Sequence, residues 1–377
     1  MDLSEIRSQF PILGEVTYLD HSATGPLSLS VREAAGEALA MQVDGSLGTP
    51  LLHARVDALK QKIATLIGAS PHEIALVRNT AEGLSVVAGG LPWREGDRVV
   101  TDNIEFPANI YPWLNLAARY GVQTTMVPAR GGRVLADDLI AACDARTRLI
   151  AVSFVQFSNG FRVDLDRLGA HCRDRGIYLC VDAIQGLGAL PLNVAESRVD
   201  FLACGGHKWL LAPIGIGFLY VRQDAQADLW PVEVGHHSVE QDPEHYTSYR
   251  LAFRGSAEKF EASVPNYAGV FGLNASLDLL QAVGSARIAA RVLTLTDRLC
   301  DGLAGRGCRV LSPRAPSEKS ATVSFVSDRS PSKELFERLK QARIVVSLRE
   351  GAIRAAPHFY NTEDEIDRLL AALPPGR

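Results

Sequence analysis

The sequence predicts an α/β fold, in which a large, mostly parallel β-sheet is followed by a smaller C-terminal α+β unit. From about residue 73 to 221, short apolar runs alternate with stretches of helical spacing, which is the pattern of βαβ units. The runs are apolar along their whole length, as expected of strands that helices cover on both faces. Beyond about residue 260 this pattern changes, which indicates a second unit.

The elements of the large sheet follow one another along the chain. Residues 53–68 have apolar side chains at helical spacing and end in Gly68, a residue that often terminates a helix. A helix is also predicted after the first strand, and another, "LDRLGAHCRDRG", precedes the fifth. The predicted strands are "EIALV", "DRVVTDNIEF", "VQTTMVPA", "RLIAVSFVQF", "IYLCVDAIQ", "VDFLACGG" and "GIGFLYV".

The last third of the chain is predicted to contain a long helix and a small sheet. "NASLDLLQAVGSARIAARVLTLTDRLCDGLAG" has helical spacing and is predicted to be one helix that links two domains. "SATVSFVS", "KELFERLKQARI", "VVSLREGAIRAAP" and "TEDEIDRLLAAL" predict a small sheet with helices on one side. We therefore predict a large domain at 17–260, a linking helix and small domain at 261–377, and an N-terminal segment, 1–16, that packs with the small domain.

The composition is that of a globular protein, with 47% apolar and 22% charged residues in a chain of 377. The net charge of −4 argues against a nucleic-acid partner, and no apolar run approaches the roughly 18 residues of a membrane span. The start, "MDLSEIRSQFPIL", lacks the layout of a signal peptide. Six cysteines without a CxxC pair favour the cytoplasm. His236 and His237 have no third ligand at suitable spacing, so no metal site is predicted.

Polar side chains follow three of the predicted strands. Ligands of open α/β sheets bind beyond the carboxyl ends of the strands, so these side chains are candidate site residues. They are Asp182 and Gln185 after the fifth strand, His207 and Lys208 after the sixth, and Asn79, Thr80 and Glu82 at the first strand-to-helix turn. The free N–H groups and the dipole at such a turn favour an anion, notably a phosphate.

Pyridoxal phosphate is the one cofactor that requires all three of these features. Lys208 supplies the amine for a Schiff base, and Asp182 keeps the ring nitrogen protonated. Thr80 and the N–H groups near Ala81 hold the phosphate. His207 adds a donor to the phosphate, and Gln185 donates to the phenolic oxygen of the ring.

Each of these residues also has an ordinary explanation when it is taken alone. A lysine at a strand end is usually solvated, and an aspartate or threonine there usually caps a turn or a helix. His207 is equally compatible with a partly buried histidine whose ring nitrogens are satisfied. The combination favours the cofactor site, because the ordinary explanation would have to hold separately at every position.

The sequence resembles the class V branch of fold-type I pyridoxal-phosphate enzymes along nearly its whole length. The motifs that carry the resemblance are "YLDHSATGPLS", "RNTAEGLSVVA", "EFPANIYPW", "VDAIQG", "GGHKWLLAPIGIGFLYV", "KFEASVPNYAGVFGL" and "IRAAPHFYNTEDEIDRLL". This branch includes cysteine desulfurases, selenocysteine lyase, isopenicillin epimerase, kynureninase and several aminotransferases. The resemblance implies a large domain with a seven-stranded sheet, and glycines before Lys208 that leave space for the cofactor.

The resemblance also implies roles for further residues. It implies a homodimer with the site at the subunit interface, where Ser263 contacts the phosphate of the partner's site. Phe106 lies where desulfurases have a histidine stacked on the cofactor ring. Arg354 matches the arginine that binds the substrate α-carboxylate, and Arg349 is a competitor for that role. His21 lies in a segment that borders the substrate in relatives.

A missing cysteine limits the reactions that the resemblance implies. Desulfurases carry a nucleophilic cysteine shortly before the substrate arginine, and residues 309–377 contain none. We therefore favour an aminotransferase-like enzyme that acts at Cα of an amino acid, with Lys208 as general base. A C–S or other β-elimination lyase is the second hypothesis and an amino-acid epimerase, which needs a second acid, the third. A pyridoxal-phosphate-binding protein without activity is the non-enzyme alternative.

Overall fold

The computed structural model describes residues 2–46, 50–242, 244–245 and 247–375. The α-helices are α1 (Leu3–Ser8), α2 (Leu29–Val43), α3 (Pro50–Ile67), α4 (Thr80–Gly90), α5 (Tyr111–Tyr120), α6 (Ala136–Ala141), α7 (Leu165–Arg175), α8 (Tyr267–Val283), α9 (Ser285–Ala304), α10 (Ser332–Gln341) and α11 (Glu363–Ala372). The strands are β1 (Thr17–Tyr18), β2 (Ile74–Val77), β3 (Arg98–Asp102), β4 (Gln123–Val127), β5 (Thr147–Ser153), β6 (Tyr178–Asp182), β7 (Phe201–Gly205), β8 (Gly217–Val221), β9 (Cys308–Val310), β10 (Val323–Ser327), β11 (Ile344–Val345), β12 (Ser347–Arg349) and β13 (Ala352–Ala355). In this part of the chain no helix is both long and apolar enough to cross a membrane.

The large sheet has seven strands in the order β2-β8-β7-β6-β5-β3-β4. The neighbours from β7 to β4 pair in parallel, and β8 pairs antiparallel with both β7 and β2. Two buried clusters, one on each face, cover the sheet with helices. This confirms the predicted mostly parallel α/β sheet, and each of the seven predicted strands is present.

The parallel arrangement positions the candidate site. Because β5, β6 and β7 run in the same direction, their carboxyl ends meet at one edge of the sheet. Asp182 is the last residue of β6, and Lys208 follows three residues after the end of β7. Helix α4 begins at Thr80, next to β7, and the backbone N–H of Gly205 donates to Thr80 Oγ1 over 2.9 Å.

The C-terminal unit contains a four-stranded antiparallel sheet in the order β12-β13-β10-β9. Helices α9, α10 and α11 pack on it around a third buried cluster. The segment that was expected to be one long helix is two helices, α8 and α9. Gly284 separates them with φ = +90°, a backbone conformation that L side chains rarely adopt.

The N-terminal segment contacts the C-terminal unit. Arg7 donates to the carbonyl of Tyr360 over 2.7 Å and pairs with Glu365 at 3.1 Å. The ring of Phe10 stacks on Tyr360 with 4.2 Å between centroids. Strand β1 pairs in parallel with β11, so these contacts extend beyond residue 16. The division of the chain at residues 16 and 260 stays a prediction.

Candidate active site

A cavity of about 420 Å³ lies where the ends of β6 and β7, the start of α4 and the β12–β13 hairpin meet. Its volume is in the lower part of the usual range for small-molecule sites, roughly 300–1,000 Å³. Most of the residues that we predicted from the sequence line it, namely Thr80, Ala81, Phe106, Asp182, Gln185, His207, Lys208, Arg349 and Arg354. His21 and Ser263 lie outside it.

Lys208 carries the amine of the cavity. Its Nζ lies 5.6 Å from the ring centroid of Phe106, and no described carboxylate is within 4 Å. Burial lowers the pKa of Lys208 to about 8, against the opposing influence of Asp182. A substantial fraction of the amine is therefore neutral slightly above neutral pH, and the neutral form is both a nucleophile and a base.

Asp182 places a buried carboxylate in the same cavity. Its side chain is 2% exposed, and Oδ1 accepts a hydrogen bond from the backbone N–H of Ile184 over 2.9 Å. This is the only hydrogen bond of its side chain among the described residues. Burial raises the pKa of Asp182 to about 7, and Glu105 acts in the same direction. A cationic N–H beside this carboxylate fits the site, because it would hold the carboxyl in its charged form.

The first turn of α4 faces the cavity and suits an anion. Asn79 caps the helix, with Oδ1 accepting from the backbone N–H of Glu82 over 3.0 Å. The N–H groups of Thr80 and Ala81 begin the turn and so have no partner within the helix. These groups therefore match the phosphate of the predicted cofactor in chemistry and in position.

The two glycines before Lys208 lie in close contact with neighbouring residues. A Cβ on Gly206 would lie 2.9 Å from Cβ of Ala212, and one on Gly205 would lie 3.2 Å from Cδ1 of Ile184. These glycines therefore allow the protein itself to pack closely after β7.

The segment after β1 crosses the backbone of Lys208, which the sequence did not reveal. The N–H of Gly25 donates to the carbonyl of His207 over 2.8 Å, and a Cβ on Gly25 would lie 2.3 Å from the carbonyl oxygen of Lys208. Gln185 fixes the same segment, because its Nε2 donates to the carbonyl of Ser22 over 3.0 Å. The sequence signal for this crossing is the glycine in "SATGP", because a residue with a larger side chain would not fit at this close approach.

Arg354 enters the cavity from β13 and is 2% exposed. Its Nη1 donates to the carbonyl of Phe157 over 2.7 Å, and its Nε donates to Oγ of Ser347 over 3.1 Å. Asp20 accepts from that hydroxyl over 2.8 Å and lies 3.8 Å from Nη2. Burial lowers the pKa of Arg354 to about 10, so the guanidinium stays charged at neutral pH. Because Nη2 makes no hydrogen bond within the described protein, its N–H groups are available for a carboxylate.

Two aromatic rings form a wall of the cavity. Phe106 is 43% exposed and contacts Phe157 edge-on, with 5.2 Å between ring centroids. Sequence reasoning missed Phe157, since it lies in a loop after β5 that an isolated bridge between Val155 and Arg162 folds back. An exposed aromatic ring beside Lys208 is able to stack on a planar cofactor.

Four residues behind the cavity, two of them acidic, form a buried hydrogen-bond network. Glu105 accepts hydrogen bonds from the backbone N–H and the hydroxyl of Ser153, both over 2.5 Å. Gln156 donates to both Glu105 and Asp102, over 2.8 and 3.1 Å. Burial, reinforced by Glu105, raises the pKa of Asp102 far above its usual range. Asp102 is therefore protonated at neutral pH.

His21 does not itself line the cavity, although the residues that follow it, Ser22, Ala23 and Thr24, do. It is 0% exposed, with Nδ1 donating to the carbonyl of Ala356 over 2.8 Å and Nε2 accepting from the hydroxyl of Tyr360 over 2.5 Å. Burial lowers its pKa well below the usual value. Both ring nitrogens have protein partners, so its role in this structure is to pack the N-terminal segment on the small domain.

His358 makes stability depend on pH. Its Nε2 donates to the carbonyl of Trp209 over 3.0 Å, and its Nδ1 accepts from the N–H of Phe359 over 2.8 Å. Burial lowers its pKa to about 4. In the unfolded chain this ring binds a proton near pH 6.5. The contribution of the neutral ring to stability is therefore fully present above that pH and falls as pH decreases towards 4. This group alone should make the free energy of unfolding about 2 kcal/mol smaller at pH 5 than at pH 7.

Urea unfolding at the two pH values tests this expectation. His358→Gln keeps a side-chain N–H donor but removes the titrating ring. The difference in the free energy of unfolding between pH 5 and pH 7 should therefore shrink. Exposed His53 provides the control, because His53→Gln should leave the difference unchanged. An unchanged pH dependence in His358→Gln would show that this histidine is not the responsible group.

None of the cysteines lines the cavity, and all six lie in the described part of the chain as free thiols. Cys204 lies closest in sequence to Lys208, but it is fully buried beneath it in β7. Burial raises the pKa of each thiol, which keeps it protonated. The cavity therefore contains no thiolate that could accept sulfur.

Comparisons with known proteins match this architecture. The sequence model of the family described as Aminotransferase class-V matches residues 17–369. A probable cysteine desulfurase of Methanothermobacter thermautotrophicus is 32% identical over 398 residues, which cover 98% of this chain and 96% of the relative.

Two solved structures share the fold closely. The cystine C–S lyase C-DES, in complex with its product cysteine persulfide, has a TM-score of 0.90 at 27% identity and covers 97% of this chain and 100% of its own. A lysine-to-alanine variant of C-DES, with glycine covalently linked to its pyridoxal-phosphate cofactor, has a TM-score of 0.90 at 26% identity, with coverages of 97% and 98%. These matches confirm the resemblance noted in the sequence, and the chain belongs to the class V aminotransferase family of pyridoxal-phosphate enzymes.

Proposed function

We propose that the protein breaks the Cβ–S bond of a sulfur-containing amino acid by pyridoxal-phosphate-dependent β-elimination. The observation that carries this proposal is a cavity with one amine base, Lys208, and no cysteine. The similar proteins are named for cleavage at sulfur, as a probable cysteine desulfurase and a cystine C–S lyase. A desulfurase that stores sulfur on its own thiol would need a cysteine in this cavity, so a lyase that releases sulfur with its product is the better match.

Different residues of the cavity have different roles in the reaction. When bound, pyridoxal phosphate makes the Cα proton acidic by withdrawing electrons from Cα. Arg354 binds the α-carboxylate by charged hydrogen bonds. Asp182 holds a proton at the ring nitrogen. Lys208, with its lowered pKa, takes the proton from Cα.

The remaining positions in the cofactor site follow from the same geometry. Thr80 and Ala81 hold the phosphate at the start of α4, and His207 adds a donor. Gln185 directs its remaining amide N–H to the phenolic oxygen, and Phe106 stacks on the ring. Each assignment is supported by the position of the residue in the wall of the cavity.

Transamination is the second candidate, because the amine of Lys208 would also be able to return the proton to the cofactor when no group leaves Cβ. Epimerisation has less support, since the described walls of the cavity contain no second strong proton donor opposite Lys208. Tyr111 is exposed outside the cavity and His358 is fully buried, so neither is such a donor.

Product analysis separates these reactions. The holoenzyme is incubated with cystine and with cysteine, without any 2-oxo acid. β-Elimination predicts pyruvate and ammonia in equal amounts over many turnovers. Conversion of the cofactor to its pyridoxamine form, with turnover only after a 2-oxo acid is added, would reject elimination in favour of transamination.

Lys208 should become covalently labelled when the holoenzyme is reduced with borohydride. We expect peptide mapping by mass spectrometry to find one pyridoxyl group on the peptide that contains Lys208. Lys60 is a buried lysine that pairs with Glu261 at 2.9 Å outside the cavity, and its peptide should be unlabelled. A label at another lysine, or no label at all, would contradict the proposed site.

We also propose a cytoplasmic homodimer. Ser263 lies in a groove outside the cavity beside exposed Val264, and Gly215, which follows exposed Ile214, lines the same groove. Exposed apolar residues in this position suit an interface, and Ser263 would then reach the phosphate of the partner's site. The six free thiols support the cytoplasmic location.

A further inference from the structure

We infer that Trp209 is a positioning residue, whose indole N–H holds the side-chain amide of Gln185 in the orientation that presents an N–H, and not the oxygen, to the cavity. This inference rests on the proposed function in one respect, because the group that receives this N–H is taken to be the phenolic oxygen of the cofactor. It assigns a role to a tryptophan that does not itself line the cavity.

The amide of Gln185 has two ends of similar shape and opposite hydrogen-bonding character. Its oxygen only accepts hydrogen bonds, and its nitrogen only donates them. Half a turn about the last side-chain bond would therefore exchange a donor for an acceptor with little change in shape. Gln185 is buried and lines the cavity, so the orientation of its amide determines the polarity of this part of the wall.

The hydrogen-bond partners of the amide permit one orientation. Trp209 Nε1 lies 3.3 Å from Oε1 of Gln185, and an indole nitrogen only donates. The carbonyl oxygen of Ser22 lies 3.0 Å from Nε2, and it only accepts. In the reversed amide, two donors would face each other at Trp209 and two acceptors at Ser22. Nε2 therefore keeps its second N–H, which has no partner among the described residues, for the cavity.

The indole of Trp209 is itself held firmly in place. It is fully buried, and its backbone carbonyl accepts a hydrogen bond from Nε2 of His358 over 3.0 Å. The rings of His21 and His358 flank the indole, with 5.8 and 5.4 Å between centroids. A Cβ on Gly188 would lie 2.4 Å from the carbonyl oxygen of Trp209, so the turn after β6 packs directly on this backbone. Because a buried donor that loses its acceptor is costly, the reversed amide is disfavoured.

The orientation of the amide has a measurable consequence for the bound cofactor. An N–H directed at the phenolic oxygen favours the charged form of that oxygen and weakens its hold on the proton that it shares with the Schiff-base nitrogen. Loss of the N–H should therefore raise the pH at which the cofactor releases this proton, and the absorbance of the cofactor reports that release.

The other titratable groups near this position are unchanged in the variants used for the test. His21 and His358, which flank Trp209, are neutral because burial lowers the pKa of both rings. The charged and titratable side chains that line the cavity are Asp182, His207, Lys208, Arg349 and Arg354. A difference in the midpoint between variants therefore reports the amide and its partner.

A double-mutant cycle in the holoenzyme tests the inference. Trp209→Phe removes the indole N–H and keeps an aromatic ring, and Gln185→Met removes the amide and keeps the length of the side chain. We expect each variant to raise the midpoint of the absorbance change by about 0.5 pH unit, the size expected for the loss of one hydrogen bond. The double variant should match Gln185→Met, because Trp209 acts through the amide. Additive shifts would overturn the inference, as would an unchanged midpoint in either single variant.

Trp93→Phe provides the matched control. Nε1 of Trp93 donates to the carbonyl of Ala88 over 2.6 Å outside the cavity, so its loss should leave the midpoint unchanged. A second measurement does not require Trp209→Phe to fold. Gln185→Met should shift one of the indole N–H signals in the magnetic resonance spectrum of the isotope-labelled protein, and the inference is wrong if no signal moves. Failure of the proposed function itself is recognised separately, by the absence of a borohydride adduct on Lys208.

Discussion

Replacing Asp182 by asparagine is expected to lower the turnover of the holoenzyme by about 10²- to 10³-fold, the usual cost of losing one preorganised charge partner. The carboxylate is buried at the end of β6 and makes a single hydrogen bond, to Ile184, within the described protein. Its other oxygen faces the cavity, where it would hold the proton on the ring nitrogen. Asparagine retains the shape but not the charge, so electron withdrawal from Cα weakens. The measurement is the rate of pyruvate formation at saturating substrate.

The same variant should also bind the cofactor less tightly. The pKa of Asp182, raised to about 7 by burial, falls when a cationic partner is bound, so the ion pair stabilises the bound cofactor. Asp182→Asn should therefore release the cofactor more readily on dialysis while Lys208 still reacts with it. Full activity in Asp182→Asn would exclude this carboxylate as the partner of the ring nitrogen.

Asp102→Asn is the control for removing a buried carboxyl. Asp102 is fully buried in the network with Glu105 and does not line the cavity. Its pKa is raised so far that it is neutral at pH 7, and an asparagine has the same charge there. We expect turnover close to that of the wild type. Comparison of the two variants separates the loss of a charge from the loss of a buried side chain.

The part of the site that could be predicted from the sequence is the part that the parallel sheet positions. Apolar runs that end in polar residues identified Asp182 and Lys208, and parallel pairing of β6 with β7 necessarily brings such ends together. The capped turn at Thr80 was recognisable for the same reason, since it follows β2 directly. Local patterns suffice for these residues because the parallel sheet brings the distant strand ends together.

Other features depend on contacts that no local pattern records. Asp20 and Ser347 are 327 positions apart, and they meet only because β1 pairs with the small domain. The segment of His21 was expected to border the substrate and Ser22 to Thr24 do line the cavity, but the same pairing buries the His21 side chain against Tyr360. Gly284 interrupts a continuous helical pattern through its own backbone conformation, which apolar spacing does not reveal.

Replacing Arg354 by glutamine is expected to lower kcat/KM by about 10²-fold or more, mainly through KM. Two charged hydrogen bonds to the α-carboxylate contribute roughly 1.5–3 kcal/mol each, and a neutral amide cannot replace them. The variant should still bind the cofactor, because Arg354 enters from the small domain and Lys208, Asp182 and Thr80 come from the large sheet. Steady-state kinetics with an intact cofactor spectrum is the measurement.

A graded series distinguishes orientation from charge at this position. Arg354→Lys retains the charge but loses the planar fork, so it should recover only a small part of the activity. Ser347→Ala removes the hydroxyl that accepts from Nε, and it should raise KM only a few-fold because the carbonyl of Phe157 still holds Nη1. If Arg354→Gln lowers kcat while KM stays unchanged, the arginine is not the carboxylate ligand. Arg349, the other guanidinium of the hairpin, would then be assigned to that role.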